Sequence, residues 1–316
     1  MDWRIKAGFQ KILSKSRIGD KINHLSALID SKYYTNGSVY HYHECLRKYR
    51  LVKNNLSENK NKTALEIGTG YFLIEPIVLK LIGFEKIITI DVAQDLNFKA
   101  VKKQIDLLTN KKEFIDEIKK ISILASSEID LLLTQIQNKN SLQQLLEILN
   151  ISYIAPYQLQ QIEQQNIKFD YVFSQVVLEH IEPEFLGQIF YYIKKWLKPN
   201  GYSVHTVNFV DHFTNEGFWE DKSISEFNFL KHSDQYWNFW AGNSIAYTNR
   251  LNYPFYTELC EEHGLRVINF IGENYKGKKY FDVNLVHPDV KKKYRKPLKD
   301  LNALVQYQRG TFVIVV

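Results

Sequence analysis

The sequence has few of the features that mark secreted or membrane-spanning proteins. Only two of its 316 residues are cysteines, Cys45 and Cys260, and neither has a CxxC or CxxH spacing. This argues against a disulfide framework and against a zinc site built on cysteine. The N-terminus carries charges throughout, without the apolar core of a signal peptide, and no apolar run reaches membrane-spanning length. We therefore expect a cytoplasmic protein without stable membrane insertion.

The chain also lacks a strong excess of charge of either sign. Its 41 basic and 35 acidic residues give a formal net charge of +6. Much of the excess lies in lysine-rich runs near residues 111–120 and 291–296, and such runs usually form solvated faces, so no nucleic-acid partner is expected. Hydrophobic residues make up 45% of the chain, which together with its length indicates one elaborated globular domain.

The stretch 63–72 combines an apolar strand pattern, a glycine turn and the start of an apolar helix. Gly68 and Gly70 allow the backbone to bend sharply and to approach a ligand closely. A strand, a glycine turn and a helix N-terminus together form a site for an anionic group. The third glycine of a dinucleotide fingerprint is missing, because Phe72 stands there. A nucleoside ligand without a pyrophosphate does not need that glycine.

A second apolar run, 87–91, ends at Asp91, and an acid at this strand tip is placed to bond the two hydroxyls of a ribose. These residues, with the stretches 176–181 and 197–201, resemble the class I S-adenosylmethionine-dependent methyltransferases. The resemblance extends from about residue 63 to the C-terminus. Within that superfamily the chain is similar to the branch with small-molecule and sugar methyltransferases of bacterial biosynthetic clusters.

The resemblance implies an α/β fold with a Rossmann-like, doubly wound seven-stranded sheet whose last strand is antiparallel. A helical extension is expected over residues 1–55 and a methyltransferase domain over 63–316. That domain is expected to contain a helical insertion at about 104–150 and an acceptor lid at about 210–252. The strands are predicted at 63–67, 86–91, 151–154, 169–174, 202–209, 265–271 and 311–316.

The resemblance also implies that the cofactor is S-adenosyl-L-methionine. Glu66 is then expected to meet the methionine amino group, directly or through water. Gly68 and Gly70 would admit the ligand to the backbone, and Asp91 would hold the ribose diol. The alternative is that the two glycines only allow a tight turn and bind no ligand.

The resemblance also assigns two further positions to the cofactor site. Gln158 stands in the loop where related enzymes carry an aspartate that accepts a bond from the adenine amino group. The amide oxygen of Gln158 can accept the same bond, and a solvated loop glutamine is the alternative. Ser174 ends the fourth strand, whose tip faces the methyl group and the acceptor in the family.

The candidate catalytic residues are His180, His212 and Asp211. A histidine near neutral pH suits a general base for a hydroxyl acceptor, and the alternative is that each histidine shapes the pocket. Asp211 is expected either to orient His212 or to cap its loop. No metal-ligand spacing of any strength is present, so the sequence predicts no metal and disfavours metal-dependent O-methylation.

The predicted lid is rich in aromatic and polar residues, among them Asn249 and Arg250, which are candidates for binding the substrate. This composition suits a sugar or other polyhydroxylated acceptor, and a small aromatic core is the alternative. The expected partner is a small-molecule acceptor methylated on a hydroxyl, with N- or C-methylation, a non-catalytic cofactor-binding scaffold and a homo-oligomer left open. The nucleic-acid motif Asn-Pro-Pro-Tyr is absent at 174–177.

The N-terminal segment predicts an amphipathic helix. Trp3, Phe9 and Ile12 recur at helical spacing, with lysines between them. Such a helix packs on its own domain or on a partner subunit, or lies on an anionic membrane surface.

Overall fold

The computed structural model describes residues 2–15, 31–56, 61–215, 220–277 and 279–316. Part of the predicted N-terminal extension and part of the predicted lid, including Trp219, therefore lie outside the described residues.

Strands and helices alternate along most of the described chain. The helices are α1 (Trp3–Ser14), α2 (Ser31–Arg50), α3 (Ile74–Ile82), α4 (Phe98–Asn110), α5 (Lys112–Ile121), α6 (Ser126–Gln137), α7 (Leu142–Leu149), α8 (Leu159–Gln164), α9 (Pro183–Trp196), α10 (Asp234–Ala241), α11 (Tyr253–Glu262) and α12 (Pro288–Lys291). The strands are β1 (Lys62–Ile67), β2 (Phe84–Ile90), β3 (Ile151–Ile154), β4 (Phe169–Gln175), β5 (Leu197–Asn208), β6 (Arg266–Asn274) and β7 (Tyr307–Val315). In the described part of the chain, no helix combines the length and hydropathy needed to cross a bilayer.

The strands form one seven-stranded mixed sheet in the order β3-β2-β1-β4-β5-β7-β6, with antiparallel last strands. β1 pairs in parallel with β2 and with β4, and β2 pairs in parallel with β3. The predicted α/β fold with a seven-stranded sheet is therefore confirmed. Parallel neighbours bring their carboxyl ends to the same edge of the sheet, where ligands bind in this class of fold.

The predicted start of strand five was wrong. The strand was predicted to begin at residue 202, but β5 already begins at Leu197 and continues through Pro199 and Gly201. Proline is tolerated near the start of a strand. Position 201 requires glycine, because a Cβ there would lie only 2.8 Å from the carbonyl oxygen of Phe169.

By its internal contacts the chain divides into two units. The β1 unit comprises residues 27–175, 192–204 and 315–316, and the β7 unit comprises residues 1–26, 176–191 and 205–314. In the β1 unit the core is mainly aliphatic, because parallel strands are covered on both faces. Leu65, Ile88 and Val172 on neighbouring strands are all fully buried there.

The β7 unit has an aromatic core that includes helix α1. Trp3 packs against Phe213 and Trp237, with ring centroids 5.2 and 5.6 Å apart, and its backbone N–H donates to Asp221 Oδ2 at 2.8 Å. The predicted N-terminal helix thus packs within its own unit. Many aromatic side chains of the predicted lid also belong to this core, including Phe227.

We predict that replacing Gly83 by alanine destabilises the protein by about 1–3 kcal/mol. Gly83 ends α3 with φ 110°, and a Cβ there would lie 2.4 Å from Ile123 Cγ1. Both the left-handed backbone and the close neighbour oppose a side chain. Urea unfolding of the variant measures the loss.

Gly187→Ala is the matched control. Gly187 lies inside α9, and a Cβ there would meet no atom closer than 3.8 Å. Alanine should stabilise this position by about 0.5–1 kcal/mol, because glycine is the weaker helix former. Equal changes in the free energy of unfolding of the two variants would contradict the requirement for glycine at position 83.

Candidate active site

The glycine turn after β1 meets the end of β2. Ile67 lies opposite Ile90 in the parallel pairing, and the Gly68 N–H extends it by donating to the Ile90 carbonyl at 2.8 Å. Gly68 and Gly70 have φ values of 84° and 55°, which glycine adopts without steric cost. The turn then brings the Gly70 N–H within 2.7 Å of Asp91 Oδ2. Two of the sequence-predicted elements are therefore in direct contact.

Space for a ligand remains beside this contact. A Cβ built on Gly70 would meet nothing within 4 Å among the described residues. Burial raises the pKa of Asp91 above its usual value, although the N–H groups of Gly70 and Ala93 partly offset this. Each carboxylate oxygen accepts one backbone N–H, from Gly70 or from Ala93, and keeps a further lone pair. Asp91 can therefore accept hydrogen bonds from two neighbouring hydroxyls.

Glu66 lies beneath the turn rather than at its surface. Its side chain belongs to a residue that is only 4% exposed, and it accepts a hydrogen bond from the Thr89 hydroxyl. Since Thr89 donates to Glu66, the Thr69 hydroxyl, 2.5 Å away, donates to Thr89. Burial raises the pKa of Glu66 well above its usual range, and the nearby Glu75 adds to the effect. This chain of hydrogen bonds holds Thr69, between the two glycines, in place.

The other two predicted cofactor positions differ in exposure. Gln158 is exposed at the N-terminus of α8. Its neighbour Tyr157 donates its backbone N–H to the Asp91 carbonyl at 3.0 Å, so the loop after β3 lies beside Asp91. Ser174 is fully buried, and its carbonyl accepts a hydrogen bond from Lys48 Nζ at 3.2 Å.

Sequence reasoning missed a buried ionic cluster in the β1 unit. Lys48 Nζ lies 2.9 Å from Glu75 Oε2, and His41 Nδ1 donates to Glu75 Oε1 at 2.8 Å. Burial opposes the charged form of Glu75, but Lys48 and His41 outweigh it and lower its pKa. His41 and Lys48 are seven residues apart on α2, two helical turns on one face, and Glu75 lies in the first turn of α3. The spacing was visible in the sequence, but the partner was not.

We predict that Lys48→Met destabilises the protein by about 3–5 kcal/mol, because it leaves Glu75 buried without its ammonium partner. Chemical unfolding monitored by circular dichroism measures the effect. Lys296→Met removes the same group from an exposed pair with Glu261 and is the control. It should leave the unfolding midpoint unchanged, because exposed pairs contribute little. A loss of similar size in both variants would contradict the role of the buried pair.

In the β7 unit, the segment after β4 forms a tight turn held by backbone contacts. Val176 has φ 50°, an unfavourable value for a β-branched residue, and its N–H donates to the Thr206 carbonyl at 2.9 Å. A 3-10 turn follows at Leu178–His180. Strained backbone of this kind concentrates at functional sites.

Glu179 points into the β7 unit and is 2% exposed. Its Oε1 accepts the Asn208 backbone N–H at 3.2 Å, and its Oε2 has no hydrogen-bond partner among the described residues. Burial raises the pKa of Glu179 to about 8. An unpaired buried carboxylate oxygen is costly, and it therefore calls for an explanation.

The structure brings His180 and His212 together, with ring centroids 4.9 Å apart. His180 Nδ1 lies 2.9 Å from the Tyr247 carbonyl and must donate to it, which leaves a lone pair on Nε2. The Asn208 amide lies 3.2 Å from His212 Nε2. Burial, with a contribution from His180, lowers the pKa of His212 to about 3. Both rings are therefore arranged as neutral imidazoles.

Asp211 caps the 3-10 turn His212–Thr214, which was one of its two predicted roles. Its Oδ1 accepts the Phe213 N–H at 2.9 Å, whereas the side chain beside the His212 ring is that of Asn208. Asp211 is fully buried, and this burial raises its pKa to about 7.

The side chains of Asn249 and Arg250 are bonded within the protein. Asn249 Nδ2 donates to the carbonyls of Leu178 and Ile181 at 2.8 and 2.9 Å. The Arg250 guanidinium donates to the His232 carbonyl and pairs with Asp234. Both are buried. Asn249 therefore positions the turn that carries His180, and Arg250 supports the wall of an adjacent cavity.

That cavity has a volume of about 700 Å³ and is lined in part by His180. Its lining also includes acidic side chains and one lysine. The lining residues are His180, Glu182, Pro183, Glu184, Asp234, Asn238, Gly242, Asn243, Ser244, Tyr247 and Lys293. Several belong to the predicted lid, so that segment contributes both a core and a cavity wall.

We predict that Asp211 makes the protein less stable as the pH rises from about 4 to 7. A carboxyl with a folded pKa of about 7 binds a proton that the unfolded chain has already lost, which removes roughly 1.4 kcal/mol of stability per pH unit in this window. The Asp211→Asn variant keeps an oxygen that can cap the turn but has no carboxyl group to titrate. The stability of this variant should therefore fall less than that of the wild type between pH 5 and pH 7. Urea unfolding at several pH values measures the difference, and parallel curves for both proteins would contradict it.

No protein-family model and no curated protein matches this chain. Among solved structures, it is similar to a cyclopropane-fatty-acyl-phospholipid synthase-like protein from Lactobacillus casei, at 10% identity and a TM-score of 0.47, over 91% of this chain and 94% of that one. A putative sarcosine dimethylglycine methyltransferase from Galdieria sulphuraria is 12% identical, with a TM-score of 0.44, over 87% and 85%. Phosphoethanolamine N-methyltransferase 2 from Haemonchus contortus, in complex with S-adenosyl-L-methionine, is 14% identical, with a TM-score of 0.40, over 92% and 59%. At such values the function of this chain must be argued from its own residues.

Proposed function

We propose that the protein transfers a methyl group from S-adenosyl-L-methionine to a small-molecule acceptor, with a hydroxyl as the accepting group. The observation that carries this proposal is the hydrogen bond of 2.7 Å between the Gly70 N–H and the Asp91 carboxylate. It joins the glycine turn and the acid of β2 into one cradle with open space above Gly70.

The cradle suits an adenosyl group better than a dinucleotide. Asp91 offers two carboxylate oxygens to a ribose diol, and Tyr157 and Gln158 lie on the loop beside it, where an adenine edge would need a partner. Phe72, at the position of the third glycine, stacks on His41 with ring centroids 4.7 Å apart. Gly37 accommodates the Phe72 ring, since a Cβ there would lie 2.3 Å from it. The position is thus used for packing rather than for a pyrophosphate.

The polar cavity beside His180 supports a hydrophilic acceptor. In the reaction an acceptor oxygen forms a bond to the methyl carbon as the sulfur–methyl bond breaks. The sulfonium becomes a neutral thioether, and the hydroxyl proton is released to solvent. Positioning of the acceptor supplies much of the catalysis in such displacements, roughly 7–11 kcal/mol in favourable cases. His212, with a pKa of about 3, is a weak base, so we assign His180 to the cavity wall and neither histidine to proton abstraction. A sugar or a related biosynthetic intermediate fits this lining.

We predict that Asp91→Ala weakens binding of S-adenosyl-L-methionine by about 100- to 10,000-fold, because two hydrogen bonds to a charged group are lost, each worth about 1.5–3 kcal/mol. Isothermal titration calorimetry on the full chain measures the affinity.

Asp116→Ala, which changes an exposed acid on α5, is the control and should bind like the wild type. Equal affinity of wild type and Asp91→Ala, or no binding by either, would refute the cofactor assignment.

A further inference from the structure

Three ligand-type side chains converge in the β7 unit, next to the cavity. One ligand atom from each of Glu179, His180 and His212 lies within 4.8 Å of the other two. This cluster is not visible as a metal-ligand spacing in the sequence, because His212 is 32 residues from His180. The fold brings them together through the turn after β4 and the loop after β5.

We infer that Glu179, His180 and His212 form a binding site for a divalent transition-metal ion that orients the acceptor. This inference rests on the proposed function for its role in methyl transfer, but the site itself does not. A carboxylate with two imidazoles is the ligand set of catalytic zinc sites and of related iron, manganese and cobalt sites.

The unpaired Glu179 oxygen is the first argument for this site. Oε2 is buried without a hydrogen-bond partner among the described residues, although Oε1 is bonded to the Asn208 N–H. A fold does not usually leave a buried carboxylate oxygen unsatisfied. A cation at this point supplies the missing partner.

The two histidines are prepared as ligands. His180 Nδ1 donates to the Tyr247 carbonyl, which orients the ring and leaves Nε2 with a lone pair, as in many metal sites. The Asn208 side-chain oxygen accepts the Val210 N–H, so its amide nitrogen faces His212 Nε2 as a donor. An ion on that nitrogen replaces one hydrogen bond of 3.2 Å.

The spacing requires only a small adjustment. Ligand atoms about 2.1 Å from a tetrahedral ion lie roughly 3.4 Å apart, compared with the 4.8 Å limit here. Rotation of the half-buried His212 ring can close this gap while His180 keeps its hydrogen bond to the Tyr247 carbonyl. Their exposure also provides an entry path, and Glu182 and Glu184 in the cavity wall attract cations.

Three protein ligands leave at least one position open on the ion. The cavity of about 700 Å³ lined by His180 is where an acceptor can fill that position. A hydroxyl that coordinates a divalent ion loses its proton more readily, which makes it a better nucleophile for a methyl group. The acceptor class is therefore a molecule that offers an oxygen donor to the metal.

The test is titration of the metal-free full chain with Zn²⁺, Co²⁺ and Mg²⁺. We expect one site for Zn²⁺ and for Co²⁺, with weaker binding of Mg²⁺, because imidazole favours transition metals. Bound Co²⁺ should show the visible absorption of a low-coordinate site. His180→Ala and Glu179→Gln should weaken binding by about 100-fold or more and remove the Co²⁺ absorption.

His263→Ala removes a histidine of the same unit outside the cluster and should bind Co²⁺ as the wild type does. His180 is exposed, so its variant is decisive even if Glu179→Gln unfolds. Absence of Zn²⁺ and Co²⁺ binding in the wild type, or unchanged binding in His180→Ala, overturns the site. Binding of S-adenosyl-L-methionine by the same protein distinguishes failure of the metal site from failure of the proposed function. The loss of cofactor affinity in Asp91→Ala does not depend on the metal site.

Discussion

The hydrogen bond between the Gly70 N–H and Asp91 depends on the parallel pairing of β1 with β2. Parallel strands end at the same edge of a sheet, and the register sets Ile67 opposite Ile90. A shift of one residue would turn every side chain of the strand to the other face. The core that fixes this register therefore also fixes the cradle, and with it the proposed adenosyl site.

Buried polar groups lie near the proposed adenosyl site in the β1 unit and near the proposed metal site in the β7 unit, and each is costly unless it is paired. In the β1 unit, Lys48 pairs with Glu75, and Thr89 donates to Glu66. In the β7 unit, Glu179 Oε2 has no such partner among the described residues. The Lys48–Glu75 pair and the Thr89–Glu66 hydrogen bond therefore support the fold, whereas the unpaired Glu179 oxygen lies near two histidines that can bind a ligand together with it.

The glycine turn, Asp91 and most of the strands could be predicted from the sequence because each depends on local chemistry. Glycine is needed where φ is positive, and apolar runs form buried strands. The start of β5 was missed because Pro199 and Gly201 carry a turn signal, and only the structure shows that Gly201 lies where a Cβ would be 2.8 Å from the Phe169 carbonyl oxygen. Composition made Asn249 and Arg250 candidates for substrate binding, and composition does not reveal the internal hydrogen bonds that their donors make.

The sequence by itself determined the pair of elements that meet at the cradle, because apolar periodicity and glycine conformation are properties of short segments, and the class of fold followed from the family resemblance that these motifs carry. Only the tertiary structure decided which distant side chains share a neighbourhood. Lys48 pairs with Glu75, and Glu179 lies near His212, although the members of each pair belong to different elements of the chain. Such contacts arise from the packing of whole helices and strands, and the spacing of residues along the chain does not predict them.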